Sequence, residues 1–337
     1  MLSAFVAAGV IFAAVATTLS LFLYLPSLAV AESLTTQKAA ARSFVWLGAA
    51  LLPVLGGLLA AGYGLGAALH DPYGSPHLIS GRVHLCARWI QRVPDGSLYV
   101  QAVGWASIAL FIAGLVRFVA GAVRSSRTAA RFRSASPGAS DVAIVEHPEA
   151  FLATVGFLQP VTIVTSAVVD LLPGDELAAA LAHELAHHRR ADNALDLLMS
   201  ASVTCLPYVP TTHLFHRYRR EESERACDDF AAAEHSARVV AAGIRRLAQA
   251  SREKSERSLL PGALNGWRRR VDAHRRAERL MTERQGQAVP RHEATFAGVI
   301  LTLAGVAVVV LGLVATARQA ADSVYCLAET LLQVLER

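Results

Sequence analysis

Apolar and polar positions divide the chain into long uncharged runs and one mixed region. Leu2 to Ala31 contains no charged residue, and neither does Ser43 to Leu69. A third run starts at Gly96, is uncharged to Val116 and stays apolar around Arg117 to Val123. A fourth covers Thr295 to Ala317. As helices, all are long enough for a hydrocarbon core of about 30 Å. About four transmembrane helices are therefore predicted, at 2–31, 43–69, 96–123 and 295–317. Ala29-Val30-Ala31 resembles a leader cleavage site, but the first run has no basic n-region and is too long, which favours a retained anchor.

Between the third and fourth runs the pattern changes. Val142 to Val145 and Val161 to Thr165 are β-branched-rich and of strand length, with Pro148, Gly156 and Pro160 as punctuation. A small sheet is predicted there. Its edge would suit an extended peptide, and a purely structural sheet fits the same residues. Pro173-Gly174-Asp175-Glu176 then supplies a breaker and first-turn acids ahead of helix-forming Leu177 to Ala182. That helix should end near Arg189 to Asn193. Leu195 to Tyr208 is apolar, interrupted by Asp196 and closed by Pro207 and Pro210. It reads as a buried, interfacial or re-entrant helix. His216 to Phe230 is charged and helix-compatible. Ala237 to Glu256 and Asn265 to Arg284 read as two more basic helices, wrapping the central region or lying on the inner leaflet.

Charge orients this plan. Lys+Arg number 32 against 27 Asp+Glu, a net +5. No nucleic-acid recognition motif accompanies the excess, so nucleic acid is not expected as a partner. Arg124, Arg127, Arg131 and Arg133 come before any acid until Asp141. The positive-inside rule then places 124–294 in the cytoplasm. The 70–95 loop, the N-terminus and the 318–337 tail fall outside, although Arg82, Arg88 and Arg92 in that loop oppose the rule. Loop residues His70, His77 and His84 lack a close-spaced pair and read as solvated. Cys86 and Cys326 would both face the oxidising side, which allows a disulfide between them, while Cys205 and Cys227 face the reducing side.

The chemistry centres on His183-Glu184-Leu185-Ala186-His187. On a helix, His183 and His187 lie one turn apart on one face. Two imidazoles so spaced can hold one Zn²⁺, with Glu184 beside them as general base. A catalytic zinc needs a third protein ligand and an open position. Glu221, Glu224 and Asp228 share a helical face by their spacing, and Glu224 is the favoured third ligand. Asp228 could orient a ligand histidine through its second ring nitrogen, with Asp192 as a rival for that role. Arg219, Tyr218 and His216 are candidates to stabilise an oxyanion. Cys227 could ligate metal, though a small buried hydrophobe suits it better. Arg189-Arg190 could be a self-cleavage site, but a basic helix end explains it better.

Gly156-Phe157-Leu158-Gln159-Pro160, Val161-Thr162-Ile163-Val164, the His183–His187 motif with Arg189-Arg190-Ala191-Asp192, and Glu224-Arg225-Ala226-Cys227-Asp228 together resemble the BlaR/MecR-type membrane metallopeptidases. The likeness is detailed over 156–230 and elsewhere is one of plan. It implies zinc on His183, His187 and Glu224, with Glu184 catalytic. Only about twenty residues follow the last run, with no Ser-x-x-Lys, so direct β-lactam acylation is not expected. The HtpX/Ste24-type proteases share the two-motif logic, but their second element usually ends in Ala-Asp.

The fold class expected is a predominantly α integral membrane protein carrying a cytoplasmic α+β, zincin-like HExxH metallopeptidase domain. The leading function is a zinc endopeptidase with one Zn²⁺ per chain. It would sit in the cell membrane and cleave a cytoplasmic regulator, with a protein or peptide as substrate. Membrane-protein quality control and a non-catalytic membrane adaptor are the alternatives.

Overall fold

The computed structural model describes residues 2–34, 39–70, 77–79, 82–84, 98–135, 141–157, 159–257 and 263–282. The fourth run at 295–317, the 318–337 tail, Cys86 and Cys326 lie outside the described residues.

Uncharged runs become long helices because only internal backbone hydrogen bonding satisfies a chain without water. α1 (Leu2–Ser33), α2 (Ala39–His70) and α3 (Leu98–Ala135) are these helices. Within them Ala4–Ser33, Ala39–Gly66 and Leu98–Ser134 are long and apolar enough to cross a membrane. Between α2 and α3, β1 (His77–Ile79) and β2 (Arg82–His84) form an antiparallel pair. α3 does not end with its apolar residues at Val123. It continues through Arg124, Arg127, Arg131 and Arg133, a total of 38 residues or roughly 57 Å. The basic flank is thus a helical extension that reaches the next domain. There Ala129 is buried with Ala143 and Val161, and Arg133 donates to the Gln159 carbonyl at 2.8 Å.

That domain begins with a three-stranded sheet in the order β3 (Val142–Val145), β5 (Val161–Thr165), β4 (Leu152–Val155). β3 runs parallel to β5, and β4 antiparallel to it. All five residues of central β5 are buried. Strand β4 is an element the sequence pattern did not predict. Its four residues carry little strand signal of their own, and pairing with β5 defines it.

The helices follow as α4 (Ser166–Leu171), α5 (Gly174–Arg189), α6 (Asp192–Cys205), α7 (Pro210–His235), α8 (Ala237–Arg257) and α9 (Ala263–Thr282). Ala191, left-handed at φ 52°, turns α5 into α6. α6 has 14 residues, about 21 Å, too short to span. Its end instead turns near Pro207, and the chain returns as α7. At the tip Cys205, Leu206 and Val209 are buried against Phe12, Ala16, Val54 and Phe111. The apolar stretch is therefore one arm of a helical hairpin lodged among α1, α2 and α3. Gly114 of α3 makes room for it, since a Cβ there would overlap Cys205 Sγ.

The hairpin has polar ties as well. Ser20 and Thr211 share a buried hydrogen bond of 2.6 Å. Arg42, near the start of α2, donates to Glu222 of α7 at 2.9 and 2.6 Å. Arg190 donates to Ser43 at 2.8 Å. Phe215 of α7 lies fully buried between Tyr24, Trp46 and Met199.

α5, α7, α8 and α9 meet through small side chains, among them Ala179, Ala182, Ala231, Ala241 and Ala277, with Val240 and Leu280. Alanine lets these helix backbones approach closely. Glu176, in the first turn of α5, is buried and paired with Arg246 of α8 at 2.8 Å. Of the two basic helices, α8 packs on the motif helix, and α9 packs on α8 and α7.

Candidate metal centre

The i, i+4 spacing on α5 aims both imidazoles toward α7. Their Nε2 atoms stand 3.2 Å apart. Glu224 on α7 completes a triangle, with Oε2 3.6 Å from His183 Nε2 and Oε1 3.7 Å from His187 Nε2. A tetrahedral ion with bonds of about 2.0–2.1 Å separates its ligands by about 3.3 Å. These three residues therefore have the spacing to hold a zinc-sized ion.

The other ring nitrogens are each engaged by a separate acid. Asp228 meets His183 Nδ1 at 3.1 Å, and Asp192 meets His187 Nδ1 at 2.9 Å. The sequence offered these two as rivals for one role, and the structure gives each its own histidine. A carboxylate fixes the proton on Nδ1 and turns the Nε2 lone pair outward. Two such lone pairs 3.2 Å apart repel unless a cation lies between them. In the protein without metal that cation is a proton. Burial disfavours it, but Asp228 and Glu224 outweigh burial and hold His183 at about 9. Glu224 is opposed by burial too, yet Arg276 and His183 keep its carboxyl well below the usual range. Asp228, under the same influences, sits near 2.

Asp192 is the hub of the α5–α6 turn. It accepts from Arg219 at 2.8 Å, Ser223 at 2.5 Å and Arg190 at 3.3 Å, besides His187. A further grouping, His187, Asp192 and Cys227, lies on the Nδ1 side. Asp192 is already committed there, and burial pushes the Cys227 thiol well up. The Cys227 side chain is fully buried, with Sγ 3.3 Å from His187 Nδ1.

Glu184 points to the sheet. Its Oε2 accepts the backbone N–H of Thr154 at 2.7 Å. Thr154 belongs to edge strand β4, whose residues 151, 153 and 155 face β5, so the N–H and C=O of 154 point outward. Asn193 occupies the same edge, donating to the carbonyls of Thr154 at 2.8 Å and Gly156 at 3.4 Å. Beside it lies an open groove of about 300 Å³ lined by Gly121, Ser125, Phe157, Asn193, Leu197 and Ser200, among others.

Other residues singled out from sequence lie elsewhere. Glu221, on the same face of α7 as Glu224 and Asp228 but two turns before Asp228, is not brought to the histidines and pairs with exposed Arg217. Arg219 is buried against Asp192 and Asp196, and Tyr218 stacks 4.7 Å from Trp46. His216 titrates below its ordinary value because it is buried. Arg190 is buried and paired with Asp192, and Arg189 lies over the Phe230 ring. The cation nearest the third acid is one that sequence reasoning missed. Arg276 of α9 meets Glu224 Oε2 at 2.6 Å. It lies 48 residues beyond Asp228 within an arginine-rich helix, where nothing in the pattern separates it from its neighbours. Thr154 and Asn193 were missed because β4 itself was.

No curated protein and no solved structure matches the chain. A family model does: the one described as BlaR1 peptidase M56 matches residues 100–240. This stretch runs from α3 through both histidines, Glu184 and Glu224 to the start of α8. The chain is mostly helical, has three candidate membrane helices, and is similar over this stretch to a metallopeptidase family. Residues 100–240 are thus similar to the BlaR1-type M56 peptidases, in line with the resemblance carried by the sequence motifs.

Proposed function

We propose that the chain is a membrane-embedded zinc endopeptidase that cleaves a cytoplasmic regulatory protein, with His183, His187 and Glu224 as ligands and Glu184 as general base. The observation that carries this reading is the convergence of three ligand residues, with the Glu184 carboxylate, held by the Thr154 N–H, one residue from the first of them. Zinc bound there supplies a Lewis acid and makes water nucleophilic at neutral pH. Glu184 takes the proton of the attacking water and passes it to the leaving amine. The Thr154 N–H holds its carboxylate in place. An extended substrate pairs with the outward edge of β4, displacing Asn193 from the carbonyls of Thr154 and Gly156. The side is argued from α3, whose arginine flank leads directly into the sheet and lies cytoplasmic by the positive-inside rule.

The test is zinc per chain in detergent-solubilised protein, for wild type, Glu224→Gln and Glu184→Gln. About one zinc is expected in wild type, sharply less in Glu224→Gln, and full zinc without hydrolysis in Glu184→Gln. A wild type that takes up no zinc after reconstitution refutes the proposal. Substrates trapped by Glu184→Gln then identify the task. A single regulator supports signalling, and many misassembled membrane proteins would replace it with quality control.

A further inference from the structure

The acids that serve the candidate centre create a problem of their own. Glu224 and Asp228 lie one turn apart on α7, with Asp228 fully buried. Like charges at i, i+4 repel, and both carboxylates must stay ionised and oriented if one is to bind metal and the other to hold His183. α9 answers this with one side chain. Arg276 donates through Nε and Nη2 to the two oxygens of Asp228, at 2.8 and 2.6 Å. Its remaining Nη1 meets Glu224 Oε2 at 2.6 Å. The guanidinium plane thus bridges the two acids, an arrangement that a lysine, a point charge without a fork, cannot reproduce.

The arginine is seated by the fold. Ala277 and Leu280 bury α9 in the alanine-lined cluster with α5, α7 and α8. One turn along, Arg279 pairs with Asp229 at 2.7 Å and donates to the Arg225 carbonyl at 3.3 Å. α9 lies outside the 100–240 stretch that the family model covers, so nothing in that match assigns it a role.

We infer that Arg276 is a positioning residue for metal binding, one that holds Glu224 by Oε2 so that its carboxylate faces both histidines, Oε2 toward His183 and Oε1 toward His187, and that locks the carboxylate behind His183. The inference rests on the metallopeptidase reading. By it α9 is a required part of the metal site, because one residue of α9 sets the orientation of two of the three ligands.

The test measures the zinc affinity of the full-length, detergent-solubilised protein by chelator competition, for wild type, Arg276→Lys and Arg276→Gln. Circular dichroism and thermal unfolding of the same samples report folding. Loss of a group that orients metal ligands typically weakens metal binding 10–100-fold. That loss is expected in Arg276→Gln, with Arg276→Lys in between because it keeps charge without the fork. Cobalt(II) gives a second readout, with an altered visible spectrum expected in Arg276→Gln. If Arg276→Gln does not fold, Arg276→Lys decides by the same measurement. Unchanged affinity in a folded variant overturns the inference and leaves the metallopeptidase reading intact. Tighter binding overturns it too, by showing that the arginine competes with the metal. Absence of zinc from wild type is a different failure, that of the underlying reading.

Discussion

Replacing Asp192 by Asn separates two effects that meet in one carboxylate. The side chain is buried and accepts from His187, Arg219, Ser223 and Arg190. Asparagine keeps the shape but loses the charge, and one acceptor becomes a donor facing donors. Breaking a buried ion pair costs about 3–5 kcal/mol when the partner charge stays buried. Arg219 retains Asp196, and Arg190 retains Ser43 and the face of Phe44. The loss in global stability should therefore fall at the lower end, about 3 kcal/mol. The second effect is on His187, whose Nδ1 proton loses its carboxylate. Zinc affinity should fall by about 10–100-fold. Chemical unfolding of the metal-free protein measures the first quantity, and chelator competition on the folded variant the second. Wild-type zinc affinity in folded Asp192→Asn would refute the claim that this carboxylate orients a metal ligand. Wild-type stability would refute its role as the arginine hub.

Other consequences can be measured independently. A proton on His183, held at about 9, must leave before metal binds, so zinc affinity should rise with pH up to about 9, by up to about tenfold per unit, and then level off. A flat profile from pH 6.5 to 9 refutes the shift. The same shift acts oppositely on metal-free stability. Its contribution is full below the unfolded value near 6.5 and is lost as pH rises through about 9. Gly114→Ala puts a methyl group onto Cys205 Sγ and 3.0 Å from the Ala201 carbonyl. It should cost about 1–3 kcal/mol, seen as a lower Tm, and adding Cys205→Ala should restore part of the loss. An unchanged Tm would mean that the hairpin does not sit on α3. Asn193→Ala removes the side chain that caps the β4 carbonyls. Removing a competing bond worth about 1 kcal/mol should lower KM about fivefold with kcat unchanged. A higher KM would show instead that Asn193 holds the strand.

The sequence by itself determined whatever depends on local period and charge. Uncharged runs made α1, α2 and α3 unavoidable, since a backbone in lipid must close its own hydrogen bonds. The i, i+4 spacing put His183 and His187 on one face wherever that helix lay. The i, i+4 pair Glu224 and Asp228 was equally local. Glu221 shows where face-counting stops, because a shared helical face says nothing about which turns of it the neighbours cover. Tertiary structure alone decided the rest. It brought α7 across α5, gave Asp192 and Asp228 different histidines, and made a strand of Leu152–Val155 against β5. It also folded 192–235 into a hairpin among the membrane helices and delivered Arg276 to the two acids. These are contacts between segments distant in the chain. Their geometry is set by how small alanine and glycine faces pack, and no local pattern of residues encodes that.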